Sequence, residues 1–197
     1  MLVGVLALQG AFLEHQNLLA KCGADSRQIR KANELEGIDA LIIPGGESTT
    51  IVKLLNSFAL MAPIRNLSRQ GLPIFGTCAG MILLAKKLVD SEQETLSLMD
   101  IEVERNAYGR QIDSFESNLS IPALGPDPFR GVFIRAPYIT KVGNGVNILA
   151  YQEEQIICAS QGSLLVAAFH PELTNDLRMH RYFLEQIVSK SRMLTNI

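Results

Sequence analysis

The residues best suited to do chemistry surround Cys78, which lies between Gly76 and Gly80. An apolar run, Leu72–Phe75, precedes this stretch, and an apolar helical pattern, Met81–Ala85, follows it. On such a tight strand-to-helix turn a side chain is exposed above the sheet, and backbone N–H groups converge beside it. The start of the following helix also favours a thiolate over a thiol. The stretch predicts a nucleophilic cysteine, whereas an isolated cysteine would more often be a buried core residue.

A cysteine nucleophile needs a base, and His170 stands at the end of a strongly apolar strand pattern. Pro171 keeps the following chain extended, so Glu172, two residues on, is expected on the same side as the imidazole. Glu172 would fix the tautomer of the ring while the other ring nitrogen serves the thiol. Such a Cys-His-Glu set performs acyl transfer through a thioester. By contrast, His15 and His180 have polar neighbours on helical segments and are predicted to be solvated surface residues.

A second glycine loop, Pro44–Gly46, follows an apolar strand pattern and precedes a helical one. Ser48 or Thr49 is expected to cap that helix. The exposed N–H groups of the loop suit an anion, but the glycine patterns of the P-loop and of the dinucleotide fingerprint are absent. A capped turn without a ligand is the alternative. If the two loops meet, the N–H groups of Gly46 and Ala79 are candidate donors to an oxyanion.

The strands and helices predicted around these loops alternate along the chain. This alternation predicts an α/β fold with a doubly wound, mostly parallel sheet, helices on both faces and added antiparallel strands. The predicted parallel strands are Leu2–Leu8, Ser26–Arg30, Asp39–Ile43 and Leu72–Phe75. The predicted helices are Phe12–Cys22, Ile51–Phe58, Met61–Gln70, Ala79 to about Leu88 and Leu177–Met193. From Ile101 onwards, short β-rich stretches that include Leu164–Phe169 predict antiparallel additions or an edge. Ligands of such sheets bind at the carboxyl ends of the strands, where both glycine loops fall.

Length and composition predict a single domain, residues 1–197, of an ordinary soluble protein, with 47% hydrophobic residues, 19% charged residues and a net charge of -2. No basic surplus suggests nucleic acid as a partner. Three widely spaced cysteines argue against a disulfide framework and against a structural zinc site, so a reducing cytoplasm is the expected compartment. The apolar amino terminus, Met1–Leu8, is too short to span a bilayer and is interpreted as a strand.

The loops and the base resemble those of the class I, triad-type glutamine amidotransferases, which have a flavodoxin-like fold. The matching stretches are, in order, Pro44–Gly46, Gly76–Gly80 and His170–Glu172. Further stretches are similar to the PdxT/SNO family, the glutaminase subunits of pyridoxal 5'-phosphate synthase, and this resemblance covers nearly the whole chain. These stretches are Leu8–Ala11, Gly45–Thr50, Val103–Asn106, Gly109–Gln111, Asp113–Glu116 and Phe133–Pro137.

The resemblance implies hydrolysis of L-glutamine to L-glutamate and ammonia. The ammonia would pass to a separate synthase subunit of the PdxS/SNZ type, in a hetero-oligomer that makes pyridoxal 5'-phosphate, the active form of vitamin B6. It implies Cys78 as nucleophile, with His170 and Glu172 completing the triad, and Gln9 and Gly10 in the loop that contacts the synthase. It implies no cofactor, metal, nucleic acid or membrane. The implied glutamine-binding residues are Gly46, Glu47, Ser48, Arg105, Ile134 and Arg135.

Three other functions stay open at this point. A glutaminase subunit of another synthase, such as that of the imidazole glycerol phosphate pathway, would share the triad, although the segment Val103–Phe115 favours the vitamin B6 partner. A cysteine hydrolase or deglycase with a related elbow is disfavoured by His170–Glu172 at the far end of the chain. A noncatalytic binding subunit would be expected to lack the nucleophile or the base. We also expect the isolated chain to be a poor glutaminase that is activated when the synthase docks near Gln9 and orders the Gly46 loop.

Overall fold

The computed structural model describes residues 1–89, 91–105, 114–189 and 191. Its apolar runs form strands and its amphipathic stretches form helices, as their periodicity predicts. The strands are β1 (Leu2–Leu6), β2 (Asp25–Ile29), β3 (Ala40–Ile43), β4 (Ile74–Thr77), β5 (Ala85–Leu88), β6 (Met99–Glu104), β7 (Ser114–Leu119), β8 (Phe129–Ile134), β9 (Tyr138–Val142), β10 (Asn147–Gln152), β11 (Gln155–Gln161) and β12 (Leu164–Ala167). The helices are α1 (Phe12–Lys21), α2 (Ser48–Ser57), α3 (Met61–Arg69), α4 (Ala79–Leu84) and α5 (Arg178–Tyr182).

Ten of the strands form one sheet, with the order β2-β1-β3-β4-β12-β11-β9-β6-β5 and β10 paired to β11. The strands from β2 to β12 run parallel, and antiparallel pairs extend the sheet from β12 through β11 and β9 to β6. Every residue of β3, β4 and β12 is buried, as expected for parallel strands covered on both faces. The strands β7 and β8 form a separate antiparallel ribbon. The predicted α/β fold, a mostly parallel sheet with added antiparallel strands, is confirmed.

Three neighbouring strands of this sheet position the site. In the ladder, Gly76 of β4 pairs with Ile43 of β3 on one side and with Val166 of β12 on the other. Because all three strands run parallel, the segments that follow them leave the sheet at the same edge. The second glycine loop, Cys78 and the chain up to His170 therefore meet there, although they are far apart in sequence.

Of the two alternatives predicted for Leu164–Phe169, the edge position is wrong and the antiparallel pairing is found on one side only. The observed strand β12 lies in the middle of the sheet, antiparallel to β11 but parallel to β4. Its four residues are buried on both faces, so the run is apolar throughout rather than alternating. The sequence of a short apolar strand does not indicate which strands it pairs with. The position of β12 in the sheet depends on its pairing with β4, which is distant in sequence.

The helix after Cys78 is shorter than predicted, because it ends at Leu84 and the chain continues as β5. Backbone N–H groups of Leu96 and Leu98 bond the carbonyls of Leu83 and Leu84, and these bonds compete with further helical ones. The carboxy-terminal helix α5 continues as a π-helical stretch, Phe183–Val188, and the end of the predicted helix lies outside the described residues. Among the described residues, no helix is long and apolar enough to cross a membrane.

Candidate active site

The predicted elbow is present at Cys78, which separates β4 from α4. Its backbone has φ 47° and ψ -104°, a conformation that side-chain-bearing residues rarely adopt. Glycines make the turn possible: a Cβ at Gly80 would lie 2.1 Å from the carbonyl oxygen of Ile43, and one at Gly76 would lie 2.6 Å from the carbonyl of Gly80. Strain held at one cysteine by close backbone packing is a common property of functional sites.

His170 and Glu172 form the predicted pair beside this elbow. Nδ1 of His170 donates to Oε1 of Glu172 over 2.7 Å, and both residues are buried. The predicted extended conformation after His170 is wrong, because Pro171–Leu173 form a 3-10 turn. The turn still returns the carboxylate to the ring, and the backbone N–H of His170 is held by the carbonyl of Val132 at 2.8 Å.

The electrostatics of the pair favour a charged imidazole and a charged carboxylate. Burial alone lowers the pKa of His170, but its interactions with Cys78 and Glu172 outweigh burial and raise the pKa to about 10. Burial likewise raises the pKa of Glu172, but the nearby His15 and the hydrogen bond from His170 lower it overall. The arrangement can therefore hold a proton on His170 next to the sulfur and pass it to a leaving group.

The second glycine loop packs against this pair. A Cβ at Gly45 would lie 2.2 Å from Cε1 of His170 and 3.2 Å from Cβ of Cys78. The N–H of Gly45 donates to Oγ1 of Thr77 over 3.1 Å, and the N–H of Glu47 donates to Oε1 of Gln9 over 2.7 Å. The loop is thus held from two sides, by the residue before Cys78 and by the end of the β1–α1 connection.

The cap of α2 differs from the prediction. Glu47 occupies the N-cap, and its carboxylate accepts the N–H and the hydroxyl of Thr49. Ser48 is the first residue of the helix, and its hydroxyl donates to Oε1 of Gln93 at 3.1 Å. Gln93 also accepts from Nη1 of Arg105 at 3.1 Å, so it joins two of the predicted glutamine-binding residues. Gln93 is not among the residues predicted from the sequence.

A polar cleft of about 250 Å³ opens at this edge of the sheet. It contains all six residues that the family resemblance implies for glutamine binding, together with Cys78 and His170. Two arginines and one carboxylate in its wall suit a zwitterion such as an α-amino acid. The residues that line it are Gln9, Gly46, Glu47, Ser48, Cys78, Ile82, Arg105, Ile134, Arg135 and His170.

Three predicted residues lie just outside the cleft wall. Ala79 begins α4 directly after Cys78. Gly10 has φ 100°, and a Cβ there would lie 1.7 Å from the carbonyl oxygen of Gly45, so the backbone at Gly10 packs against the glycine loop. Glu172 lies behind His170, where it touches the ring but not the cleft.

The predicted surface positions of His15 and His180 are wrong, since both are 0% exposed. They lie behind Glu172, and Nε2 of His15 is 3.3 Å from Oε2 of that carboxylate. The spacing between each histidine and the apolar residues that follow it indicates burial, although the polar neighbours indicate a surface position. His15 precedes the buried Leu18 and Leu19 by three and four residues, and His180 precedes Phe183 and Leu184 in the same way, which places each on the buried face of its helix.

Comparison with known proteins identifies the family. The model of the SNO glutamine amidotransferase family matches residues 5–189. A relative from Pelotomaculum thermopropionicum and one from Desulforamulus reducens, each named pyridoxal 5'-phosphate synthase subunit PdxT, are 64% and 61% identical and align over 95% of this chain and 96% and 100% of their own. A crystal structure of a glutamine amidotransferase superposes with a TM-score of 0.89 at 48% identity, covering 95% of this chain and 98% of the other. The chain belongs to the SNO glutamine amidotransferase family.

Proposed function

We propose that this chain is the glutaminase subunit of a pyridoxal 5'-phosphate synthase and hydrolyses L-glutamine to L-glutamate and ammonia. The observation that carries the proposal is that Cys78 and His170 line the same polar cleft, with His170 hydrogen-bonded to the buried Glu172, in a member of a glutamine amidotransferase family. The names and the high identity of the PdxT relatives support the assignment to this synthase.

In this proposal the sulfur of Cys78 attacks the side-chain amide carbon of glutamine. The tetrahedral oxyanion accepts hydrogen bonds from the N–H groups of Ala79 and Gly46. His170 donates its proton to the departing ammonia, which leaves a thioester on Cys78, and then takes a proton from the water that hydrolyses the thioester. Glu172 holds Nδ1–H of His170 throughout, so Nε2 is the atom that exchanges protons.

The cleft binds glutamine through its charged ends. The arginines Arg105 and Arg135 match the α-carboxylate of glutamine, and the carboxylate of Glu47 matches its ammonium group. Ser48 and the backbone at Ile134 supply neutral hydrogen-bonding groups beside them. We assign the two charged ends of glutamine in this way because the described residues in the cleft wall include both cationic and anionic side chains.

The wider assignment is also a proposal. The residues 1–197 act as one glutaminase domain in the cytoplasm, and the chain assembles with a synthase subunit of the PdxS/SNZ type that receives the ammonia. Gln9 and Gly10 contact that subunit. Because Gln9 accepts from the N–H of Glu47 and Gly10 lies against the carbonyl of Gly45, a partner docked there would bear on the glycine loop and raise the activity.

The test measures ammonia released from L-glutamine by the purified chain, alone and with a PdxS-type subunit. Cys78→Ala serves as the blank, and Cys22→Ser, which changes a half-buried thiol outside the cleft, serves as the matched control. Release that needs Cys78 and rises with the synthase supports both parts of the proposal. Release that needs Cys78 but ignores the synthase refutes the partner, and no release in either condition refutes the glutaminase.

A further inference from the structure

A buried polar cluster lies on the side of Glu172 that faces away from the cleft. Nδ1 of His15 and Nε2 of His180 are 2.9 Å apart. The other nitrogen of His15, Nε2, lies 3.2 Å from Oγ1 of Thr77 and 3.3 Å from Oε2 of Glu172. Neither histidine touches the cleft, and the reaction described above uses neither of them.

The positions of these atoms select one arrangement of protons. Oε2 of Glu172 makes no hydrogen bond with any described residue, and Nε2 of His15 lies 3.3 Å from it, so the carboxylate favours a proton on that nitrogen and disfavours a lone pair there. Nδ1 of His15 then accepts from Nε2–H of His180. This leaves Nδ1 of His180 as a bare acceptor, in agreement with its lack of a partner. In this arrangement Nε2–H of His180 bonds His15, Nε2–H of His15 lies beside Oε2 of Glu172 without a hydrogen bond to it, and Nδ1–H of His170 bonds Oε1.

Burial favours the neutral form of both rear histidines. Burial lowers the pKa of His15 despite the charge of Glu172, and burial together with His15 lowers the pKa of His180 to about 3. A neutral donor orients the carboxylate without cancelling its charge, which stays available to His170. The other titratable groups on this side are Glu14, Lys21, Arg130 and Asp176, which line a cleft of about 600 Å³ beside Glu172.

Glu172 is among the residues that line that cleft, although its side chain is 0% exposed. Its Oε2 makes no hydrogen bond with the described residues, and Nε2 of His15 lies 3.3 Å from it. Without a donor at this position, the carboxylate can rotate towards the cleft and leave Nδ1 of His170 without its acceptor. An imidazole without a fixed acceptor loses its defined tautomer and orientation.

We propose that His15, held in place by His180, is a positioning residue that fixes the orientation of Glu172 and, through it, of His170. The proposal deepens the function given above and rests on it for its kinetic part. Oγ1 of Thr77 contacts Nε2 of His15 and also accepts the N–H of Gly45, so Thr77 connects the buried histidines to the glycine loop.

Two amide substitutions separate the two contacts of His15. In His15→Gln the amide nitrogen is as many bonds from the backbone as Nε2 of histidine, so it still reaches Glu172. In His15→Asn the amide matches Nδ1, which keeps a partner for His180 but removes the N–H beside Glu172. Leu19→Ala is the control for lost stability, because Leu19 is fully buried on the same helix and is not part of the cluster.

The first readout is glutamine hydrolysis by the chain in complex with its synthase subunit. We expect His15→Asn to lower kcat by on the order of tenfold to a hundredfold, since small misplacements of a catalytic group have effects of this size. Its KM should stay within about twofold of the original value, because glutamine binding is unchanged. His15→Gln should restore most of kcat, and Leu19→Ala should retain it at an equal loss of stability.

The second readout does not depend on hydrolysis. In NMR spectra of the full chain with ¹⁵N-labelled histidine, the downfield Nδ1–H proton of His170, assigned by its loss in His170→Gln, reports its hydrogen bond to Glu172. We expect this signal to persist in His15→Gln and Leu19→Ala, and to move upfield or exchange away in His15→Asn. An unchanged signal in His15→Asn, or an equal change in Leu19→Ala, overturns the proposal. If no variant and no original chain releases ammonia, the glutaminase proposal fails, and the NMR signal still decides the role of His15.

Discussion

The backbone of Gly45 lies against the imidazole of His170, so closely that a Cβ at this glycine would lie 2.2 Å from Cε1 of the ring. The same Cβ would lie 3.2 Å from Cβ of Cys78. The absence of a side chain at one position of the loop therefore sets the distance between the loop and both members of the proposed nucleophile–base pair.

Gly45→Ala should disable the site more than it destabilises the fold. The added methyl group must displace either the ring or the loop, so we expect glutaminase activity to fall by on the order of a hundredfold, as when an oxyanion donor is lost. Gly71→Ala is the control, because Gly71 has φ 94° with nothing within 4 Å, and its substitution should cost about 1 kcal/mol of stability without loss of activity. Full activity in Gly45→Ala would show that the loop moves freely relative to His170.

The backbone strain at Cys78 should make glycine more stabilising than alanine at this position, the reverse of their usual order. Glycine in a regular element is less stable than alanine by about 0.5–1 kcal/mol. At Cys78, where φ is 47°, we expect Cys78→Gly to be more stable than Cys78→Ala by about 1 kcal/mol or more. Urea unfolding of both variants measures this difference. The buried Cys158 in β11 gives the matched pair, in which alanine should be the more stable residue.

The raised pKa of His170 predicts a stability that declines at high pH. A group whose pKa is about 10 in the folded chain and 6.5 when unfolded contributes its full stabilisation below pH 6.5 and loses it as the pH rises to about 10. The difference in unfolding free energy between the original chain and His170→Gln, which cannot be protonated, should therefore shrink across this range. A difference that stays constant from pH 6 to 10.5 would contradict a charged imidazole at neutral pH.

The hydrogen bond between Gln9 and Glu47 predicts a role for Gln9 in addition to the proposed contact with the partner. Gln9→Leu removes the acceptor of the Glu47 N–H, and the loss of about 1 kcal/mol from one hydrogen bond corresponds to about fivefold lower activity if the loop must be ordered. Gln9→Glu keeps an acceptor and should retain the activity of the chain alone. The measurement is ammonia release by the isolated variants, in the absence of the synthase. Equal losses in both variants would mean that the side chain acts otherwise than by holding the loop.

The sequence predicts those parts of the fold and the site whose causes are local. The glycines around Cys78 and in Pro44–Gly46 mark tight turns because no other residue fits them, and apolar runs mark the strands that lead into them. The pairing of His170 with Glu172 is also local, since only Pro171 lies between them, although a 3-10 turn and not an extended segment brings them together.

The parts that the sequence does not predict depend on distant partners. Helix α4 ends at Leu84 because residues 96 and 98 bond the last carbonyls, and β12 is central because β4 accepts it as a neighbour. His15 can be buried because an imidazole and a hydroxyl from other elements hydrogen-bond its two ring nitrogens, and the sequence of its own helix does not indicate these partners. Burial of a polar residue is decided by the partner that satisfies it.

The central place of β12 has a consequence for synthesis of the chain on the ribosome. The proposed nucleophile, Cys78, is made early, but the proposed base and its carboxylate follow β12, which must insert beside β4 after more than 80 further residues have been added. A nascent chain that stops short of residue 164 has the elbow and the glycine loop but no proton acceptor and an unpaired edge at β4. Such a fragment cannot turn over glutamine, so ammonia production begins only when translation is nearly complete.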